Sequence, residues 1–189
     1  MKKKLIIVGG ANGVGKTTFS HQCMEEHEID YLGADEIAEK LAATQQGRNI
    51  ELKAGKEFFS RLEGIRQAGD SVIIESTLSG LSLAKTIERF KSNGYTIQIV
   101  YLFLDDAELC KKRIRLRVRK GGHNVLEQEI DRRFGRSLRN FLRVYAPLAD
   151  TWQLLYNGHK RPMEVAINEC GTTMILDDEY YGLFLETAK

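Results

Sequence analysis

Runs rich in apolar residues recur along this chain at residues 5–8, 71–74 and 96–104. Such runs are the mark of strands buried on both faces. Between them the apolar positions change period, with Ile50, Ala54, Phe58, Leu62 and Ile65 following the spacing of a helix. The pattern predicts a strand over 5–8, a helix over 16–27, a strand over 29–32, a helix over 36–46 with Asp35 as its N-cap, and a helix over 49–67 stopped at Gly69. A strand over 71–74, a helix over 81–92 closed by Gly94, and a strand over 96–104 follow. Strand and helix alternate throughout this stretch, which predicts an α/β fold with a mostly parallel sheet between two helical layers.

The rhythm then changes. Asp105 or Asp106 caps a predicted helix running to Arg119, Gly121-Gly122 breaks it, and a second helix extends over 127–145. On that second helix Ile130, Phe134, Leu138, Phe141 and Tyr145 make an apolar stripe, and Arg132, Arg136, Arg139 and Arg143 lie about 200° away. The remainder predicts a core strand over 152–156 and a small antiparallel hairpin over 165–168 and 173–176, turning at Cys170-Gly171.

Composition narrows the picture. With 189 residues and 42% hydrophobic content the chain is read as a single domain with one core. No apolar stretch reaches membrane-spanning length. Cys23, Cys110 and Cys170 are far apart and odd in number, and together with the scattered His21, His27, His123 and His159 they lack metal-ligand spacing. A reducing, cytoplasmic setting follows as the expectation. Net charge is only +2, yet residues 111–143 carry twelve Lys/Arg against three acids, a local excess of nine. That block lacks the interleaved aromatics that stack bases, so nucleic acid is a poorer expectation than polyphosphate.

A polyphosphate site is written at residues 9–17, GGANGVGKT. Gly10-x-x-x-x-Gly15-Lys16-Thr17 is the P-loop pattern: glycines let backbone N–H groups turn inward around phosphate oxygens, while a lysine and a hydroxyl meet phosphate and Mg²⁺. Gly10, Ala11, Asn12, Gly13, Val14, Gly15, Lys16, Thr17 and Thr18 are therefore the candidate nucleotide contacts, with Thr17 on the metal. Phosphoryl transfer also asks for a carboxylate near the nucleophile and cations on the transferring group. Asp35 follows the second strand, where open α/β sheets bind ligands. It is either the base that accepts a proton from an acceptor hydroxyl or simply a helix cap. Glu75, with Ser76 and Thr77 behind it, ends the third strand beside the P-loop strand. It is a candidate for a Mg²⁺-bound water or a substrate hydroxyl, or a plain polar strand end. The arginines of 106–145 are either a solvated surface or a helical lid folding over a triphosphate.

These segments resemble the zeta-toxin-type P-loop kinases over nearly the whole chain. The resemblance is carried by residues 9–18, by Ala34-Asp35-Glu36-Ile37-Ala38, by Glu75-Ser76-Thr77-Leu78-Ser79-Gly80, by the Arg117 to Val125 segment containing Gly121-Gly122-His123, and by Arg132-Arg133-x-x-Arg136-Ser137-Leu138-x-Asn140. It is nearest to the stand-alone branch described as predicted ABC-type ATPases. The resemblance implies a P-loop NTPase/kinase fold and an ATP- and Mg²⁺-dependent kinase with Asp35 as base, Lys16 and Thr17 on nucleotide and metal, Glu75 and Thr77 near substrate, and lid cations on the γ-phosphate. Arg117, Arg133 and Arg136 are taken as those cations, from a field that includes Arg113, Arg119, Arg132 and His123. In the characterised toxins the acceptor is UDP-N-acetylglucosamine, so a small-molecule substrate of nucleotide-sugar type and a separate antitoxin are the implied partners. This chain departs from the pattern at Gly33 for Asn, Leu126 for Pro, and Tyr156-Asn157-Gly158 for Asp-Asn-Ser. Two other readings share the P-loop: a regulatory ATP-binding protein with slow hydrolysis and no acceptor, and a polynucleotide kinase drawn from the basic block.

Overall fold

The computed structural model describes residues 3–44, 49–122, 124–169 and 171–189. The end of the 36–46 helix, His123 and the Cys170 side of the C-terminal turn lie outside the described residues.

Strand β1 (Lys4–Gly9) is apolar because it is central. Leu5, Ile6, Ile7 and Val8 point alternately to opposite faces, and all four are buried, so layers cover the sheet on both sides. β1 lies between β3 (Val72–Ser76) and β4 (Thr96–Phe103), parallel to both. β2 (Asp30–Leu32) extends the sheet beyond β3, and β5 (Thr151–Tyr156) extends it beyond β4, again in parallel. β6 (Met163–Glu169) and β7 (Thr172–Ile175) then add antiparallel strands, giving the order β2-β3-β1-β4-β5-β6-β7 among the described residues. The C-terminal hairpin is thus an extension of the main sheet.

The helices are α1 (Lys16–His27), α2 (Ala34–Thr44), α3 (Ile50–Ala68), α4 (Ser82–Ser92), α5 (Ala107–Arg119) and α6 (Glu127–Asn140). Gly69 ends α3 in the left-handed region, and its N–H returns to the Ile65 carbonyl. Asp106 caps α5 by accepting the Leu109 N–H at 2.8 Å. No helix among the described residues is long and apolar enough to cross a membrane.

Three sequence expectations change here. α2 begins at Ala34, with Ile37 N–H bonded to the Gly33 carbonyl, so Asp35 sits inside the first turn and is not the cap. The helix expected over 127–145 is not uniform: α6 gives way to a π-helical turn, Phe141–Tyr145, followed by the short α7 (Ala146–Leu148). Packing accounts for the wider turn, because Phe141 stacks on Tyr101 at 4.2 Å between ring centroids while the Tyr145 hydroxyl donates to the Gly80 carbonyl. Past residue 176 the pattern assigns no element, yet α8 (Asp178–Thr187) forms, capped by Asp177 and anchored through buried Phe184.

α5 and α6 carry the basic block and are tied to each other. Lys111 pairs with Asp131 at 2.7 Å and Arg115 with Glu127 at 2.7 Å. Burial of Ile130, Phe134 and Leu138 fixes α6 against the core, as its apolar stripe predicts.

Candidate active site

At the end of β1 the chain turns through Gly13 and Gly15, both with φ in the left-handed region, at 82° and 104°. Space confines them as tightly as backbone angle does. A Cβ on Gly13 would stand 2.6 Å from the Cys110 carbonyl oxygen, and one on Gly15 would stand 2.6 Å from Asn157 Nδ2. The loop delivers Lys16 and Thr17 to the N-terminus of α1, whose first turn carries no acid and no side-chain cap. Those free N–H groups and the helix dipole favour an anion. Lys16 Nζ donates to the Ala11 carbonyl at 2.9 Å, so the ammonium lies across its own loop. Burial pulls its pKa down, and the Glu75 and Asp35 carboxylates push it back up.

The loop is held from outside by residues distant in sequence. Asn157, just past β5, donates through Nδ2 to the Val14 carbonyl at 2.6 Å. Arg113 of α5 donates to the Val14 carbonyl at 3.4 Å and to the Asn157 carbonyl at 2.7 Å. We expect Gly13→Ala to push the loop off Cys110 and to weaken ATP binding about tenfold or more, measured by calorimetry on protein whose circular dichroism is unchanged. Unchanged affinity would show that the loop does not carry the nucleotide.

A cleft of about 1610 Å³ opens over the carboxyl edge of the sheet. Asn12, Gly13, Gly15, Lys16, Thr17 and Thr18 line it, whereas Gly10, Ala11 and Val14 form the back of the loop. Gly10 N–H is bonded to the Ser76 carbonyl, and Ala11 and Val14 are buried in the core. Asp35, Glu75 and Thr77 also line the cleft. Register places Glu75 beside Val8, as expected of the strand next to the P-loop strand. Its two oxygens are both engaged: Oε2 accepts from the Thr17 hydroxyl at 3.1 Å and Oε1 from the Tyr31 hydroxyl at 2.5 Å. Burial, followed by the bond to Glu75, pushes the Tyr31 phenol far above its ordinary pKa, so it stays a neutral donor.

Of the three expected lid cations, Arg117 and Arg133 line the cleft. Arg136 does not; it is exposed, because α6 buries its apolar stripe and turns that position outward. Arg113, which was one of several competitors, lines the cleft and clamps the loop as well. The segment after Glu75 is fixed by α6 and the π turn: Ser137, Asn140 and Tyr145 donate to the carbonyls of Thr77, Leu78 and Gly80. The sequence assigns no part in the site to Tyr31, Asn157 or these three donors. A visible signal exists for the first two: Tyr31-x-Gly33 and Tyr156-x-Gly158 both stand at strand ends, and in each the ring leans over a glycine where a Cβ would collide.

The residues present fit a magnesium-complexed nucleotide. The helix N-terminus and Lys16 suit the phosphates, and the Thr17 hydroxyl with Glu75 supplies oxygen donors for a hard cation. Among the described residues no group of three or more His, Cys, Asp or Glu could hold a metal alone, so water and phosphate oxygens would complete its shell.

A family model described as an AAA domain, AAA_33, matches residues 5–138. The chain belongs to this AAA domain family. The solved structures it is similar to share its α/β fold. Across 98% of this chain and 86% of the other, it superposes on a chain from the PezAT chromosomal toxin-antitoxin system of Streptococcus pneumoniae with a TM-score of 0.64 at 18% identity. A chain of the AvrRxo1-ORF1:-ORF2 complex with ATP gives a TM-score of 0.76 at 14% identity, covering all of this chain and 64% of that one. By sequence, an uncharacterized protein of Haemophilus influenzae is 28% identical over 134 residues, 71% of this chain and 94% of its own length.

Proposed function

We propose that this AAA-family protein is an ATP- and Mg²⁺-dependent phosphotransferase that phosphorylates a hydroxyl of a small metabolite. The observation that carries the reading is the placement of the Asp35 and Glu75 carboxylates within electrostatic reach of Lys16 across one cleft. A P-loop alone serves binding or hydrolysis, whereas a carboxylate facing the phosphate side also supplies a base.

In this reading Lys16 lies along the β- and γ-phosphates and the α1 N-terminus receives their charge. Thr17 and Glu75 would hold the magnesium ion, which when bound neutralises developing charge on the phosphate oxygens. Asp35 accepts the proton of the acceptor hydroxyl and orients it for in-line attack on the γ-phosphorus. Arg117 and Arg133 neutralise the equatorial oxygens from the lid side. Thr77, presented by a segment fixed to α6, contacts the acceptor.

UDP-N-acetylglucosamine is the first acceptor to test, on the strength of the zeta-toxin resemblance. Incubation with ATP and Mg²⁺ should give ADP and a phosphorylated sugar in equal amounts. ADP with no phosphorylated sugar rejects that acceptor. ADP formation that no hydroxyl compound accelerates favours an ATPase without an acceptor. The similarity to a chain from a toxin-antitoxin system supports a separate antitoxin as a partner.

A further inference from the structure

Both oxygens of Glu75 are bonded from opposite sides, and that fixes more than the carboxylate itself. A threonine hydroxyl has one proton to give. Since Thr17 donates it to Glu75 Oε2, the oxygen lone pairs are turned away from Glu75 and left to meet another partner. The direction of those lone pairs therefore depends on how Glu75 is held.

Tyr31 does the holding, and it needs unusual room. In the β2–β3 register Tyr31 stands beside Ile73, two residues short of Glu75, so its ring must lean along the strand to reach the carboxylate. That path crosses position 33. A Cβ on Gly33 would fall onto the Tyr31 hydroxyl, 2.8 Å from Cζ and 2.9 Å from Cε1. Gly33 is buried and is not among the glycines with positive φ, so backbone angle does not call for a glycine there. The space taken by the ring does.

We propose that Tyr31 and Gly33 form a positioning pair for Glu75: the glycine admits the tyrosine ring, the hydroxyl fixes the carboxylate, and the carboxylate aims the Thr17 lone pairs at the magnesium ion of the bound nucleotide. Neither residue touches the phosphates. The inference rests on the phosphotransferase reading only in taking the ligand to be a magnesium-complexed nucleotide.

Calorimetry with a non-hydrolysable ATP analogue, in Mg²⁺ and in EDTA, tests it on the wild-type protein, Tyr31→Phe, Gly33→Ala and the double variant. The readout is the gain in affinity that Mg²⁺ confers. Tyr31→Phe should lower that gain about tenfold or more, the range found when an outer partner of a metal ligand is removed, with affinity in EDTA unchanged. Gly33→Ala should do the same by displacing the ring. The double variant should be no worse than the weaker single one, because once the hydroxyl is gone the glycine protects nothing. Urea unfolding of the same four proteins checks folding, and there too the two effects should fall short of adding. A merely structural role would lower stability and leave the Mg²⁺ gain at its wild-type value. That result in Tyr31→Phe overturns the proposal, as does a double variant whose losses multiply. A wild-type protein that binds no analogue under either condition removes the phosphotransferase reading, and this inference with it.

Discussion

Asp35→Asn is expected to lower phosphoryl transfer by about 10² to 10⁴-fold while ATP affinity stays within about twofold of wild type. Asparagine keeps the size and the first-turn position of the side chain in α2 but cannot take up a proton. Because Asp35 does not cap the helix, the substitution leaves the helix start intact and gives up its interaction with the helix dipole, about 0.3–1 kcal/mol, and its attraction to Lys16. Any large kinetic loss would therefore be chemical. Initial rates with the acceptor, set beside calorimetric ATP binding, separate the two. A variant that transfers phosphate at more than a tenth of the wild-type rate would remove Asp35 as the base. A variant that loses ATP binding would make the residue a nucleotide contact instead.

The arginines give the second large effect. Arg117 and Arg133 line the cleft and Arg136 does not, so alanine substitutions should fall into two groups. The cation that meets the transferring phosphoryl group should cost about 10³-fold or more in turnover when removed. Arg136→Ala, at an exposed position, should stay within about twofold. Arg113→Ala belongs to a third kind: it removes a donor to the Val14 and Asn157 carbonyls, so it should weaken ATP binding as well as turnover. Measuring kcat and nucleotide affinity for all four, with unfolding midpoints as a check, sorts these roles. If Arg136→Ala matched the most damaging of the cleft variants, the lid would have to close by a rotation that carries α6 with it.

Both experiments probe residues that differ in how they could be found. Lys16 and Thr17 were legible because the P-loop is local: a few glycines, a lysine and a hydroxyl within nine residues specify the turn. The central strands were legible for the same kind of reason, since strands buried on both faces must be apolar throughout. Asp35 follows β2 as the sequence suggests, but it does not cap α2, because the helix starts at Ala34, two residues before the expected start at Glu36, which moves Asp35 from cap to first turn. The apolar stripe of α6 was visible, but the π turn was not. That turn answers to Tyr101 and Gly80, which lie far away in sequence. α8 escaped because little in its composition stands out and its place depends on burying Phe184.

The clamp on the P-loop shows the boundary most clearly. Arg113 and Asn157 reach Val14 across 99 and 143 residues of sequence, and nothing in the local pattern of either names Val14 as its partner. What the amino-acid order alone determined is what short-range physics can encode: the phosphate-binding turn, the buried parallel strands and the amphipathic helices that cover them. Which arginine faces the cleft, which way Glu75 points, and where a long helix widens by a residue were decided by tertiary packing. A helix face is chosen by what it packs against, and a carboxylate is aimed by donors arriving from other strands.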